Sequence, residues 1–504
     1  MTGVTDVTVT GGSMDTATLI DGRRSYVAGR WVEPESTFPV ENPADETVAA
    51  EAGATPPGEV ERAIAEARRA FDEGVWSDLP VDERARRIVA FLDHVEGRGA
   101  ELVATMVAEA GQPRVFAERA QLAMGLALGR STVDLYRSLP AEVPSPVPVD
   151  ELVQGRLALS VRRHEPVGVV AAVTPYNGAV IMAFQKLVPA LLAGNSVILR
   201  PSPLTPLSSL VFGAAADAAG LPPGVLSVVV EEGSAAAELL TTDPAVDVVS
   251  FTGSTAVGRR ILAQAAPTVK RVSLELGGKS AQIYLDDAVD RAPLGAMAVV
   301  AMTAGQACVA ATRMLVPHAR KDEVLRAVAA AYETITVGDP TDPSTLMGPV
   351  IDAAARQRCE RYVALAEDHG GKVVTGGGRP PGLDRGHYYR PTVLDLPDND
   401  NPAARDEIFG PVLAVIGYDD LDDAVRIAND SPYGLSAQVY GADVAAAAAV
   451  GRRLRAGAVN VNTSLFSAYA PAGGYKQSGL GRERGVEGIR EFQEVKHLVI
   501  GELK

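Results

Sequence analysis

The sequence predicts an α/β protein made of two α/β domains in tandem, and three observations carry that expectation. Short β-branched runs alternate with helical patterns, which is the signature of βαβ units feeding a parallel sheet. The alternation starts afresh after the Gly277-Gly278 pair. Finally, 504 residues exceed what one core holds, since domains run to roughly 150 residues each.

The elements follow in order. The first 18 residues have neither a basic stretch nor a sustained apolar one, so they read as a frayed tail and not as a signal peptide. Val60, Ala63, Ile64, Ala67 and Phe71 recur at helical spacing, and Ile88, Phe91 and Leu92 resume it after Pro80. The helical region extends to about Leu139. Residues 140–148 hold Pro140, Pro144, Pro146 and Pro148 with little periodicity, which marks a connection. Strands are expected at 169–173, 196–199, 226–230 and 246–251, then at 281–284 and 314–317, with a helix over about 321–336. Residues 456–485 are crowded with glycine and read as loops of the kind that line sites.

Bulk numbers exclude several classes. Hydrophobic residues make up 47% and charged ones 22%, ordinary globular usage. A net charge of −16 repels phosphate backbones and anionic lipid, so neither nucleic acid nor a membrane is an expected partner. The apolar run at 187–193 stops at Gly194 and Asn195, short of the roughly 18 residues a membrane span needs. Two cysteines, Cys308 and Cys359, argue against a disulfide framework and for a reducing compartment, the cytoplasm. Six histidines show no metal-ligand spacing, and no G-x-S-x-G elbow occurs.

Three segments carry candidate chemistry: Thr174-Pro175-Tyr176-Asn177, Leu274-Glu275-Leu276-Gly277-Gly278-Lys279 and Gly305-Gln306-Ala307-Cys308. Taken singly, Cys308 is as readily an inert buried thiol, Glu275 a strand-end carboxylate and Asn177 a turn residue. Together, and in this order, they closely resemble the aldehyde dehydrogenase superfamily over residues 22 to the C-terminus. Further matches are Phe251-Thr252-Gly253-Ser254-Thr255 with Gly258, Lys186 ahead of Gly194-Asn195, Glu407-Ile408-Phe409-Gly410-Pro411, and Gly473-Gly474 before Lys476.

The resemblance implies an aldehyde-dehydrogenase-like α/β fold. A Rossmann-type dinucleotide-binding domain would span 21–148 and 164–277, and a catalytic domain 278–480. A small β oligomerisation arm would take 149–163 and 481–504. Open arm edges imply a homodimer or homotetramer. It also implies that a small-molecule aldehyde becomes a free acid. Cys308 would be a soft, low-pKa nucleophile forming a thiohemiacetal and then a thioester. The Asn177 amide and the Cys308 N–H would form an oxyanion hole. Glu275 would be the general base for hydrolysis. Relatives that pass the acyl group to coenzyme A typically lack a carboxylate there, so Glu275 favours hydrolysis; a coenzyme A-acylating semialdehyde dehydrogenase is the alternative reaction, and a non-catalytic protein on the same scaffold the alternative class. Lys186 and Glu483 match positions supporting proton movement, though both could equally be solvated surface groups.

For the cofactor, the resemblance assigns contacts to Thr174, Pro175, Tyr176, Arg200, Ser202, Pro203, Gly253, Ser254, Gly258, Leu276, Glu407 and Phe409. Glu407 would hold the nicotinamide ribose and Phe409 pack beside the nicotinamide. The 253–258 loop follows an apolar strand and opens a helix, where backbone N–H groups meet a pyrophosphate, or where Ser254 or Thr255 merely caps the helix. NAD is the expected cofactor. Pro203 stands where many NAD-preferring relatives have a glutamate that repels a 2′-phosphate, and Arg200 could pair with such a phosphate, so NADP stays open. Residues 463–471, with Leu465, Phe466 and Tyr469, suggest an apolar or aromatic entrance, or plain loop packing, and point to a medium-sized apolar or aromatic aldehyde.

Overall fold

The computed structural model describes residues 18–145, 158–464 and 467–501. The tail up to residue 17, residues 149–157 of the expected arm, and Leu465 and Phe466 of the expected entrance lie outside the described residues.

The helical expectation holds as Pro57–Asp72, Val81–Gly97, Gly99–Ala110 and Met124–Ser138. Pro80 sits immediately before the second helix, where its missing N–H costs nothing. Gly111, at φ 62°, ends the third in the left-handed conformation. In the proline-rich connection, Glu142–Pro144 forms a short edge strand, a difference from expectation that proline permits because an edge strand needs donors on one side only.

The first sheet has eight strands. Its parallel centre runs Arg271–Glu275, Val248–Thr252, Val169–Val173, Ser196–Arg200, Leu226–Val228, with short antiparallel strands at both ends. Chain order reverses between Val169–Val173 and Val248–Thr252, so a crevice opens beyond their carboxyl ends, where such sheets bind ligands. The middle three of these strands are buried along their whole length because helices cover both faces. One of those helices, Ala179–Ala193, belongs to an 18-residue apolar stretch, Tyr176–Ala193, that is 78% buried inside the fold. It is a core helix.

The second sheet has seven strands in the order Lys372–Thr375, Thr392–Asp395, Val412–Tyr418, Arg313–Pro317, Ala281–Tyr284, Ser436–Tyr440, Ala458–Val461. All pairs are parallel except the first. Chain order reverses here too, at Ala281–Tyr284. A third sheet pairs Gln493–Gly501 with Ala158–Pro166 and Glu142–Pro144. The Gly479–Leu480 strand crosses back onto the first sheet beside Glu275.

Candidate active site

The first sheet presents the carboxyl ends of its strands, and the second presents the loops that lead into Ala281–Tyr284 and Arg313–Pro317. Between them lies a cavity of about 570 Å³ lined by Thr174, Asn177, Arg200, Thr252, Glu275, Cys308 and Glu407, among others. Three widely separated segments of sequence therefore converge.

Cys308 ends a loop of unusual backbone. Thr303, Ala304 and Gly305 all have positive φ, at 51°, 53° and 72°. Left-handed conformation in two consecutive non-glycine residues costs of order 1–2 kcal/mol each and persists only where surroundings enforce it. A side chain at Gly305 would lie 2.2 Å from the Gly410 carbonyl oxygen. Gln306 does the enforcing: its Nε2 donates to Thr303 O at 3.1 Å, and its Oε1 accepts from Ile351 N–H at 2.9 Å and Tyr176 OH at 3.2 Å.

Asn177 is locked to the same loop, since its Nδ2 donates to Gln306 O at 2.7 Å. Its own carbonyl accepts from Gln112 and Gln121 side chains at 3.0 and 2.9 Å. An amide nitrogen carries two donors, so the bond to Gln306 leaves a second N–H on that nitrogen. The amide is thus oriented before any substrate arrives.

Glu275 pairs in register with Thr252 at the strand end and is 8% exposed. Burial first, and then the Glu483 carboxylate, raise its carboxyl well above the usual range. Its Oε1 has no partner among the described residues. Glu483 itself pairs with Lys186 at 2.6 Å, and Lys186 Nζ also donates to Ser250 at 3.0 Å. Both side chains are buried, at 0% and 6% exposed, so the solvated-surface reading of this pair is replaced by a buried ion pair beside Glu275.

One expectation is corrected. Cys308 is not a low-pKa thiol in this structure: burial, then the Glu407, Glu275 and Glu483 carboxylates, push it up to about 12. Cys359, fully buried in the Ala353–Asp368 helix, is likewise pushed up to about 12 by burial.

The cofactor candidates divide into two groups. Thr174, Pro175, Tyr176, Arg200, Ser202, Gly253, Ser254, Glu407 and Phe409 line the cavity. Pro203, Gly258 and Leu276 do not. Gly258 instead permits close packing, because a side chain there would lie 2.7 Å from Leu276 Cδ2. Ser254 caps the Thr255–Ala265 helix, its Oγ accepting from Val257 N–H at 3.4 Å. Arg200 is already engaged, donating through Nε to Glu231 at 2.8 Å and through Nη2 to Gly233 O at 2.6 Å. Glu407 Oε1 accepts from Gly278 N–H at 3.1 Å; a side chain at Gly277 would lie 2.1 Å from Glu407 Oε2 and one at Gly278 would lie 2.8 Å from the Cys308 carbonyl oxygen, which explains the glycine pair. Phe409 has φ 57° and meets Tyr176 edge-on, with centroids 6.0 Å apart. Arg358 steadies that strained turn by donating to Ile408 O at 2.7 Å.

A dinucleotide fits these residues. The cavity's lining includes Arg260 and Ser234 as well as Cys308, and three buried oxygens on its wall, Thr174 Oγ1, Thr252 Oγ1 and Glu275 Oε1, have no partner among the described residues. Sequence reasoning missed Met182, Ile351 and Arg358 on the same wall. None belongs to a motif that would have marked it.

Comparison with known proteins agrees with the geometry. The chain is 38% identical over 484 residues to geranial dehydrogenase from Castellaniella defragrans, covering 95% of this chain and 99% of that one. It is 37% identical to 3-succinoylsemialdehyde-pyridine dehydrogenase from a Pseudomonas species, covering 94% and 98%. A cysteine-to-alanine mutant of aldehyde dehydrogenase C from Pseudomonas syringae, crystallised with NAD+ and octanal, superposes with a TM-score of 0.90 at 38% identity, covering 95% and 98%. Betaine aldehyde dehydrogenase from Staphylococcus aureus with NAD+ gives 0.92 at 32% identity, covering 96% of each. The aldehyde dehydrogenase family pattern matches residues 31–498. With a cysteine, an asparagine and a carboxylate gathered on the wall of one cavity, and likeness over nearly the whole chain, this protein belongs to the aldehyde dehydrogenase family.

Proposed function

We propose that this NAD(P)-dependent oxidoreductase converts a medium-sized apolar or aromatic aldehyde to its free acid through Cys308, Asn177 and Glu275. The carrying observation is their convergence on one cavity with an unpartnered Glu275 oxygen. Cys308 Sγ gives its proton to the Glu275 carboxylate, which hands it on toward Glu483 and solvent, and bonds to the aldehyde carbon as the carbonyl π pair moves to oxygen. Asn177 Nδ2 holds the resulting oxyanion with its second N–H, a contribution worth roughly 3–4 kcal/mol per donor in such sites. Bound NAD(P)+ supplies the acceptor for the hydride that leaves as the oxyanion collapses to a thioester. Glu275 then takes a proton from water as the water oxygen attacks the thioester carbon; the acyl C–S bond breaks, the free acid leaves, and Cys308 Sγ stays on the protein and recovers the proton from Glu275. A carboxyl of raised affinity for protons suits that step. The buried Lys186–Glu483 pair offers the next proton acceptor inward.

Glu407 and Phe409 would hold the nicotinamide end, and Arg200 and Ser202 the adenosine end. On this reading the first sheet is the dinucleotide-binding domain, the second the catalytic domain, and the third the oligomerisation arm. The apolar preference is supported by Tyr176, Met182 and Ile351 on the cavity wall, and by relatives named for geranial and crystallised with octanal. A cytoplasmic homodimer or homotetramer fits two free cysteines and an arm with exposed Leu159, Val495, Val499 and Ile500.

The test is reduced-cofactor absorbance with aliphatic, aromatic and charged aldehydes, using NAD+ and NADP+ side by side without coenzyme A. Turnover on apolar aldehydes is expected. A strict requirement for coenzyme A would replace hydrolysis by acyl transfer.

A further inference from the structure

The carboxylate missing at Pro203 leaves open what, if anything, keeps a 2′-phosphate out of the adenosine end. The answer comes from the neighbouring strand. Ser196–Arg200 and Leu226–Val228 run parallel and adjacent, so Arg200 and Glu231 emerge side by side just past their carboxyl ends. Glu231 Oε1 takes Arg200 Nε at 2.8 Å, and the Gly233 carbonyl takes Nη2 at 2.6 Å. Both side chains are only 10% exposed. Glu231 is itself fixed, because its two oxygens also accept from Ala236 and Ala237 N–H at 2.7 and 3.0 Å, at the start of the Ala235–Thr242 helix.

From this geometry we infer that Glu231 is a specificity-determining residue, which locks and neutralises Arg200 so that the adenosine end of the cleft accepts a ribose diol and refuses a 2′-phosphate. The inference rests on the reading of this cavity as the dinucleotide site. Arg200 lines the cavity, but its Nε–Nη2 edge is held by Glu231 and the Gly233 carbonyl, which fixes the guanidinium and pairs its charge before a phosphate could approach. The other charged groups at this end, Glu238 and Arg260, are also paired with each other, at 2.5 Å. Among the described residues of this wall, both cations that a phosphate dianion would meet are already paired with carboxylates, the Arg200 pair buried and the Arg260 pair exposed, while the Ser202 and Ser234 hydroxyls suit hydroxyl groups. The role of the missing carboxylate passes to one on a different strand, with Arg200 as its intermediary.

The test is direct binding, by calorimetry, of NAD+, NADP+, 5′-AMP and adenosine 2′,5′-bisphosphate to the intact protein and to Glu231→Gln. The unaltered protein is expected to bind NAD+ at least tenfold more tightly than NADP+, and 5′-AMP more tightly than the bisphosphate. In Glu231→Gln the NADP+ to NAD+ ratio should move toward NADP+ by tenfold or more. Adding Arg200→Gln should cancel that gain, which a merely structural Glu231 would not produce. Equal or better NADP+ binding by the unaltered protein overturns the inference without any variant, as does an unchanged ratio in a folded Glu231→Gln. Failure of the unaltered protein to bind either dinucleotide would instead strike at the cofactor reading itself.

Discussion

The Cys308 thiol gives the sharpest quantitative expectation. An ordinary thiol near 8.5 is about one-tenth thiolate at pH 7.5, whereas one at about 12 is ionised to only about 0.003%, roughly a three-thousandfold difference. Because the thiolate is the species that alkylates, iodoacetamide should label Cys308 in the cofactor-free protein about a thousandfold or more slower than a small-molecule thiol. The rate should climb about tenfold per pH unit from 7 to 10. Cys359 is 0% exposed and should stay unlabelled, so peptide mapping separates the two sites. Two perturbations act on the causes: on the proposed cofactor reading saturating NAD+ would bring a cationic ring toward the thiol, and Glu407→Gln removes the neighbouring carboxylate that contributes most after burial. Each should accelerate labelling. A rate that levels off between pH 8 and 9 in the cofactor-free protein would refute the reasoning, since it would show a thiol untouched by burial or by those three carboxylates.

Other expectations are shorter. Asn177→Ala should lower kcat by about 10²–10³-fold, the usual cost of one oxyanion donor, with little change in NAD+ affinity by calorimetry. Gly305→Ala should cost more than 100-fold in turnover, because its Cβ would press on the rigid Gly410 carbonyl at 2.2 Å in a loop that positions Cys308; steady-state kinetics on the folded variant checks this. Glu109 is fully buried and raised from 4.5 to about 7, chiefly by burial. Its protonated form is favoured in the folded state, so its stabilising contribution is complete below about pH 4.5 and is lost as pH rises through about 7, by about 3 kcal/mol at 1.4 kcal/mol per unit. Urea unfolding at pH 5 and pH 8 should show that loss, and Glu109→Gln should flatten it.

Four parallel strands of the first sheet were legible because they are buried on both faces and read as short apolar runs, and the restart after Gly277-Gly278 marked Ala281–Tyr284 and Arg313–Pro317 of the second; Arg271–Glu275, with polar residues at three of its five positions, and the other five strands of the second sheet were not expected. Cys308, Asn177 and Glu275 were legible only jointly, through their order along the chain. The protonation state of Cys308 was not, because it depends on Glu407 and Glu483, which lie far from it in sequence and reach it only through folding. The same holds for Lys186 and Glu483, whose 2.6 Å pairing joins residues 297 apart. Gly258 looked like part of a phosphate loop, yet its local reason is contact with Leu276. The Arg200–Glu231 pair escaped notice because it depends on strand adjacency, and no motif contains Glu231.

The central claim is that Cys308 carries the acyl group and Glu275 releases it. Rapid mixing of Glu275→Gln with an apolar aldehyde and NAD+, followed by intact mass and peptide mapping, tests this most directly. The expected result is a burst of reduced cofactor near one equivalent, slow turnover after it, and the acyl mass on Cys308. Loss of the burst in proportion to turnover, or an acyl group on any other residue, would contradict it.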